Sequence, residues 1–244
     1  MPPVERTEAH GGAAALEGGA AGLRAGEERS RAEREESPDK NCAPLSDSSL
    51  LLLSDNLCLQ QATALLLALE LKSAETSTHS LRVASLSRLI GREMGLPQEQ
   101  LLYLKWGALL HDIGKLSVPE SILDNTEPLT DEQWARLRLH PWRGESLLAT
   151  LDFPKSVCTA VGQHHEAWDG TGYPLGLRAL AISLEARIIA VADAYDTIRR
   201  GRCWRKGECY EVALHEVISC AGSQFDSVVV DALVRIPKEK VESL

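Results

Sequence analysis

From residue 49 to the end of the chain, apolar positions recur every three or four residues, the spacing of a helix with one buried face. "NLCLQQATALLLALELKSA" and "HSLRVASLSRLIGREMG" both carry it, and the second stops at Gly95, a residue suited to a left-handed helix end. "PQEQLLYLKWGALLHDIGK" opens on Pro97 in a first-turn position. "TDEQWARLRLH" begins with Thr130, Glu132 and Gln133 in a capping arrangement. "PKSVCTAVGQHH", "LEARIIAVADAYDTI", "CYEVALHEVISCAG" and "SVVVDALVRI" continue the pattern. Only "ARIIAVAD" reads equally well as a buried strand, and no second strand-like run exists to pair with it. The prediction is an all-α bundle of about seven to nine helices.

Residues 1–48 differ. They are rich in Gly, Ala, Glu, Arg and Ser, contain no aromatic residue, and read as a disordered tail that cannot bury enough apolar surface to offset its ordering entropy. Two domains are therefore predicted, the tail at 1–48 and a folded unit at 49–244. Of the whole chain, 25% is charged and the formal net charge is -9, which argues against a broad footprint on duplex nucleic acid. No apolar run approaches the roughly 20 residues that span a bilayer, and the N-terminus lacks a signal pattern, so a cytoplasmic protein without a membrane span is expected. The six cysteines are scattered and resemble reduced thiols more than a disulfide framework.

Candidate chemistry lies in the histidines. Glu75 and His79 are four apart and share a helix face, although a solvated face explains such a pair as well. His111 and Asp112 end the apolar run "LKWGALL", where buried polar groups need partners; metal coordination and mutual hydrogen bonding both answer that need. Asp193 follows another apolar run, His140 precedes a proline, and His164 and His165 are adjacent. His10 lies in the tail and His215 reads as an ordinary helix residue. Imidazole and carboxylate without thiolate suit Fe, Mn or Zn in catalytic sites, and eight such donors are too many for one ion but reasonable for two or three.

In chain order, "ALLHDIGKLSVPESIL", "LRLHPWRGESLL", "HHEAWDGTGYP" and "ARIIAVADAYD" resemble the HD-GYP domain, a branch of the HD metal-dependent phosphohydrolases. The resemblance runs from about residue 60 to 236. It implies an all-helical HD-type fold that hydrolyses cyclic di-GMP to linear pGpG, GMP or both, using two or three divalent ions, iron ahead of manganese or zinc. It implies metal ligation by His79, His111, Asp112, His140, His164, His165 and Asp193, with Glu75 supporting a third ion. Asp112 and Lys115 are the implied catalytic pair. The resemblance also implies substrate contact by Lys115, together with Gly172, Tyr173, Pro174, Arg202 and Arg205. The Gly-Tyr-Pro loop is further expected to offer a docking surface to a cyclase or other signalling protein. Departures from the family pattern occur at Cys203 and Trp204, at "AIS" (181–183) and in "LDNTEPLT" after "SIL"; none removes a ligand. The alternatives are a related phosphohydrolase acting on another cyclic dinucleotide or nucleotide, and a nucleotide-binding scaffold without catalysis.

Overall fold

The computed structural model describes residues 47–244 except 126, 203 and 204; the side chains of 47–56, 74, 75 and 201–206 lie outside the description. The tail predicted at 1–48 therefore falls almost wholly outside the described residues. Among the described residues eleven α-helical segments follow one another. They are α1 (Asp47–Lys72), α2 (Ala74–Glu93), α3 (Gln98–Leu110), α4 (Glu120–Leu123), α5 (Asp131–Leu137), α6 (His140–Thr150), α7 (Lys155–Gln163), α8 (Leu184–Arg200), α9 (Tyr210–Ser219), α10 (Ser227–Arg235) and α11 (Lys238–Glu242). Short 3-10 helices occupy Ile113–Ser117 and Ala179–Ala181. The chain folds as the all-α bundle its periodicity predicts, and "ARIIAVAD" is helical within α8. Among the described residues a single strand pair is formed, β1 (Gly201–Arg202) against β2 (Arg205–Lys206), each two residues long.

The ends of the helices are set locally. Ser73 caps α2 by accepting from the Thr76 amide, and Gly95 follows that helix with φ +76°. Thr130 and Gln133 form a reciprocal capping box at α5. Helix α6 has Pro141 in its first turn, where a missing N–H does no harm.

The core lies where α2, α3, α7 and α8 meet. Leu104, Leu110, Ile113, Leu148, Val157, Val161, Ile188 and Ile189 are fully buried there. Two glycines allow unusually close approaches. A Cβ at Gly114 would overlap the His140 carbonyl oxygen, and one at Gly144 would lie 2.8 Å from Val161 Cγ1. Only a residue without a side chain allows the strap after α3 to lie on the start of α6. The strap is also tied from below: Lys72 Nζ, at the end of α1, donates to the carbonyls of Leu116 (2.7 Å) and Val118 (2.6 Å). These contacts bring the end of α3 against the start of α6. Among the described residues no helix is long and apolar enough to cross a membrane.

Candidate metal centre

Three helix ends and the interiors of two further helices converge on one buried spot. His111 and Asp112 follow α3, His140 opens α6, His164 and His165 follow α7, His79 comes from α2 and Asp193 from α8. Their donor atoms fall into two groups, each gathered within 4.8 Å: His79, His111 and Asp193 in one, and Asp112, His140, His164 and His165 in the other. Asp112 faces both. Its Oδ2 lies 3.3 Å from His111 Nε2, and its Oδ1 lies 3.3 Å from His140 Nε2.

The tautomers are fixed from behind. Nδ1–H of His111, His140 and His164 donates to the carbonyls of Ala108 (2.8 Å), Leu137 (2.8 Å) and Val161 (2.7 Å). A carbonyl only accepts, so in these rings Nδ1 carries a hydrogen and Nε2 faces inward as the atom a metal ion would take. His140 Nε2 and His164 Nε2 then face each other at 3.3 Å, beside the Asp112 carboxylate. Converging acceptors repel unless a cation sits among them, so the donor set fits a divalent ion.

Electrostatics points the same way. Burial, reinforced by the neighbouring imidazoles, pushes His164 well below the ordinary histidine range and His165 to about 3, which keeps both rings neutral and able to ligate. Burial would raise Asp112, but Lys115 and the adjacent His111 outweigh it and hold the carboxylate well below its usual range. Burial would likewise lower His79, yet Asp193 and Asp196 raise it to about 9. A proton on that ring occupies the place a metal ion would take.

A second layer holds His79. Its Nδ1 lies 2.7 Å from Asp196 Oδ2, and Asp196 accepts two bonds from Arg82, Nε at 2.7 Å and Nη2 at 2.9 Å. Neither Asp196 nor Arg82 is among the predicted site residues. Each lies three positions from a predicted ligand, Asp193 and His79 respectively, and that one-turn spacing is the signal that could have found them.

The remaining predicted residues surround this centre. Lys115 Nζ donates to Asp112 Oδ2 at 2.6 Å. Tyr173 stacks on His165 with ring centroids 4.8 Å apart. The Gly-Tyr-Pro loop hangs on Glu166, whose Oε1 accepts from the Leu175 amide (2.7 Å) and Oε2 from the Leu177 amide (3.0 Å). A Cβ at Gly172 would overlap the backbone of Glu166 and Ala167, so only glycine fits there. Trp168 packs beneath Arg187, whose guanidinium carbon is 5.7 Å from the ring centroid. Arg202 and Arg205 are register partners in the hairpin; their side chains, like that of Glu75, lie outside the described residues. The centre opens into a cleft of about 1110 Å³ lined by His79, Asp112, Lys115, His140, His165 and Asp193, with Tyr173 and Trp134.

The model of the HD domain matches residues 61–229. The chain belongs to the HD domain family. Within it, the chain is 35% identical over 170 residues to the cyclic di-GMP phosphodiesterase response regulator RpfG of Xanthomonas campestris pv. campestris, covering 69% of this chain and 45% of that protein. It is 38% identical over 168 residues to the 3'3'-cGAMP-specific phosphodiesterase 1 of Vibrio cholerae, covering 67% of this chain and 38% of that protein. The chain thus spans less than half the length of these curated relatives. Among solved structures, Bd1817 of Bdellovibrio bacteriovorus, described as an HDG"Y"P protein, superposes with a TM-score of 0.55 at 25% identity, covering 65% of this chain and 51% of that one. The HD domain of the L. monocytogenes phosphodiesterase PgpH, solved with cyclic-di-AMP, shares the fold with a TM-score of 0.50 at 20% identity, covering 73% of this chain and 90% of that one.

Proposed function

We propose that this HD domain is a metal-dependent phosphodiesterase that hydrolyses cyclic di-GMP to linear pGpG, GMP or both. The observation that carries the reading is a pair of donor groups sharing one carboxylate, Asp112, at the floor of a cleft large enough for a dinucleotide. His79, His111 and Asp193 would hold one ion, and His140, His164 and His165 another, with Asp112 serving both. Iron is the first expectation, with manganese or zinc as alternatives. Glu75 would support a third ion. Divalent ions held there supply Lewis acidity that acidifies solvent and neutralises the oxygens of a phosphate ester.

The protein's own groups do the rest. Lys115 carries its ammonium beside Asp112 at the edge of the cleft, where charge grows on an attacked phosphate. The backbone carbonyls behind His111, His140 and His164 keep each ring in one orientation, so little reorganisation is needed. Arg82 and Asp196 do the same for His79. The Gly172, Tyr173 and Pro174 loop shapes the mouth, held by Glu166, and Arg202 and Arg205 would meet the guanine and phosphate groups. A cytoplasmic setting belongs to the same reading, supported by four cysteines among the described residues that form no disulfide with one another.

A second cyclic dinucleotide has a specific observation in its favour: the relative from V. cholerae at 38% identity is named as specific for 3'3'-cGAMP. One assay separates the readings. Anaerobically purified protein supplied with Fe(II) or Mn(II) is incubated with cyclic di-GMP and, in parallel, with 3'3'-cGAMP, and the products are resolved by chromatography. Faster conversion of cyclic di-GMP is expected. Faster conversion of 3'3'-cGAMP moves the substrate assignment, and no hydrolysis of either by metal-loaded protein rejects the enzymatic reading.

A further inference from the structure

One wall of the cleft comes from residues 122–125 and 127–129 with Trp134 and Leu137, and its chemistry differs from the histidine side. Helix α5 buries no residue of its own, yet a capping box holds it in place. It presents Trp134 to the cleft with 45% of the residue's surface still exposed. Arg138, at the end of the same helix, lies within cation–π range of two rings, 5.8 Å from Trp134 and 5.5 Å from Tyr173. Among the described residues Arg138 makes no ion pair, so its N–H donors remain available beside an aromatic face. Asp124 and Glu127 line the same wall and would repel phosphate, which turns the anionic part of a ligand toward Lys115 and the metal ligands. What remains for the α5 wall is the base.

We propose that Trp134 and Arg138 read the purine base of the ligand, Trp134 by stacking and Arg138 by donating to the N7 and O6 acceptors of guanine. Adenine places an amino donor where guanine has O6, so a guanidinium cannot pair with it in the same way. The cleft then prefers guanine nucleotides to adenine nucleotides, with Arg138 as the residue that sets the preference and Trp134 as a shelf indifferent to the base. Tyr173 is already stacked on His165 and serves here to hold the guanidinium in place. The proposal rests on reading the cleft as a cyclic dinucleotide site, and its two reading residues, Trp134 and Arg138, belong to neither donor group.

The test uses GMP and AMP as probes, titrated calorimetrically into the metal-loaded full chain, so that it does not depend on turnover. Wild-type protein is expected to bind GMP roughly tenfold or more tightly than AMP. Arg138→Gln is expected to bring the two affinities together, chiefly by weakening GMP. Trp134→Ala is expected to weaken both nucleotides by roughly tenfold, and Trp134→Phe to restore most of that loss. Thermal unfolding of each variant, within a few degrees of wild type, shows that the fold is intact. Equal affinity of wild type for GMP and AMP, or an unchanged preference in Arg138→Gln, overturns the inference. Cyclic di-GMP turnover by the wild-type protein is measured separately and decides the catalytic reading on its own.

Discussion

His164 and His165 are neighbours in the chain with different surroundings. His164 ends α7, is 1% exposed, and is clamped by the Val161 carbonyl. His165 lies one residue beyond, at the cleft, beneath Tyr173. Both turn toward His140, at centroid distances of 5.2 and 5.0 Å. Asp112 links this group to the other, so Asp112→Ala is expected to abolish hydrolysis and to lower metal content in both groups, read by elemental analysis alongside turnover. The supporting residues should show a graded effect. Asp196→Asn keeps the shape but weakens the acceptor behind His79, and it is expected to reduce metal affinity about 10–100-fold, measured by competition with a chelator. His111, Asp112 and Asp193 were legible because each follows an apolar run, and the other candidate ligands came from the family resemblance. Asp196 and Arg82 were less legible, since charged residues along a helix usually mark a solvated face.

The elements place these donors by close approach more than by bulk. Gly114 lets the strap after α3 rest on the first residue of α6, which brings Asp112 to His140. Gly114→Ala is expected to lower stability by about 1–3 kcal/mol, as overpacking does, with a parallel loss of metal; denaturant unfolding and metal content check both. Thr130→Ala removes one half of the capping box of α5 and is expected to cost about 1 kcal/mol, measured in the same way. Seven of the longer helices follow the apolar periodicity directly. Helix α6 did not announce itself, because "HPWRGESLLAT" contains a proline and a glycine that local propensity counts as breakers. In the folded chain Pro141 occupies a harmless first-turn position and Gly144 admits Val161 of α7. The β1–β2 hairpin escaped notice for a simpler reason: two-residue strands are too short to show alternation.

At the scale of the molecule, the donors span more than a hundred positions of sequence, from His79 to Asp193, and only the packed bundle unites them. An ion that binds the folded arrangement alone therefore stabilises the fold as a whole. Removing it with a chelator is expected to lower the melting temperature by about 5–10 °C if the ions are held about a hundredfold above their dissociation constants. The helical class could be read along the chain and a candidate ligand set from the family resemblance, whereas which candidate ligands gather on which side of Asp112 could not, because it depends on which of its oxygens faces which ring. That division is the central claim. Its most direct test is the metal stoichiometry of anaerobically purified protein, compared with that of His79→Ala and His164→Ala. About two or more ions per wild-type chain, with about one lost in each variant, is the predicted result. A stoichiometry of one in the wild type, or none, would contradict it.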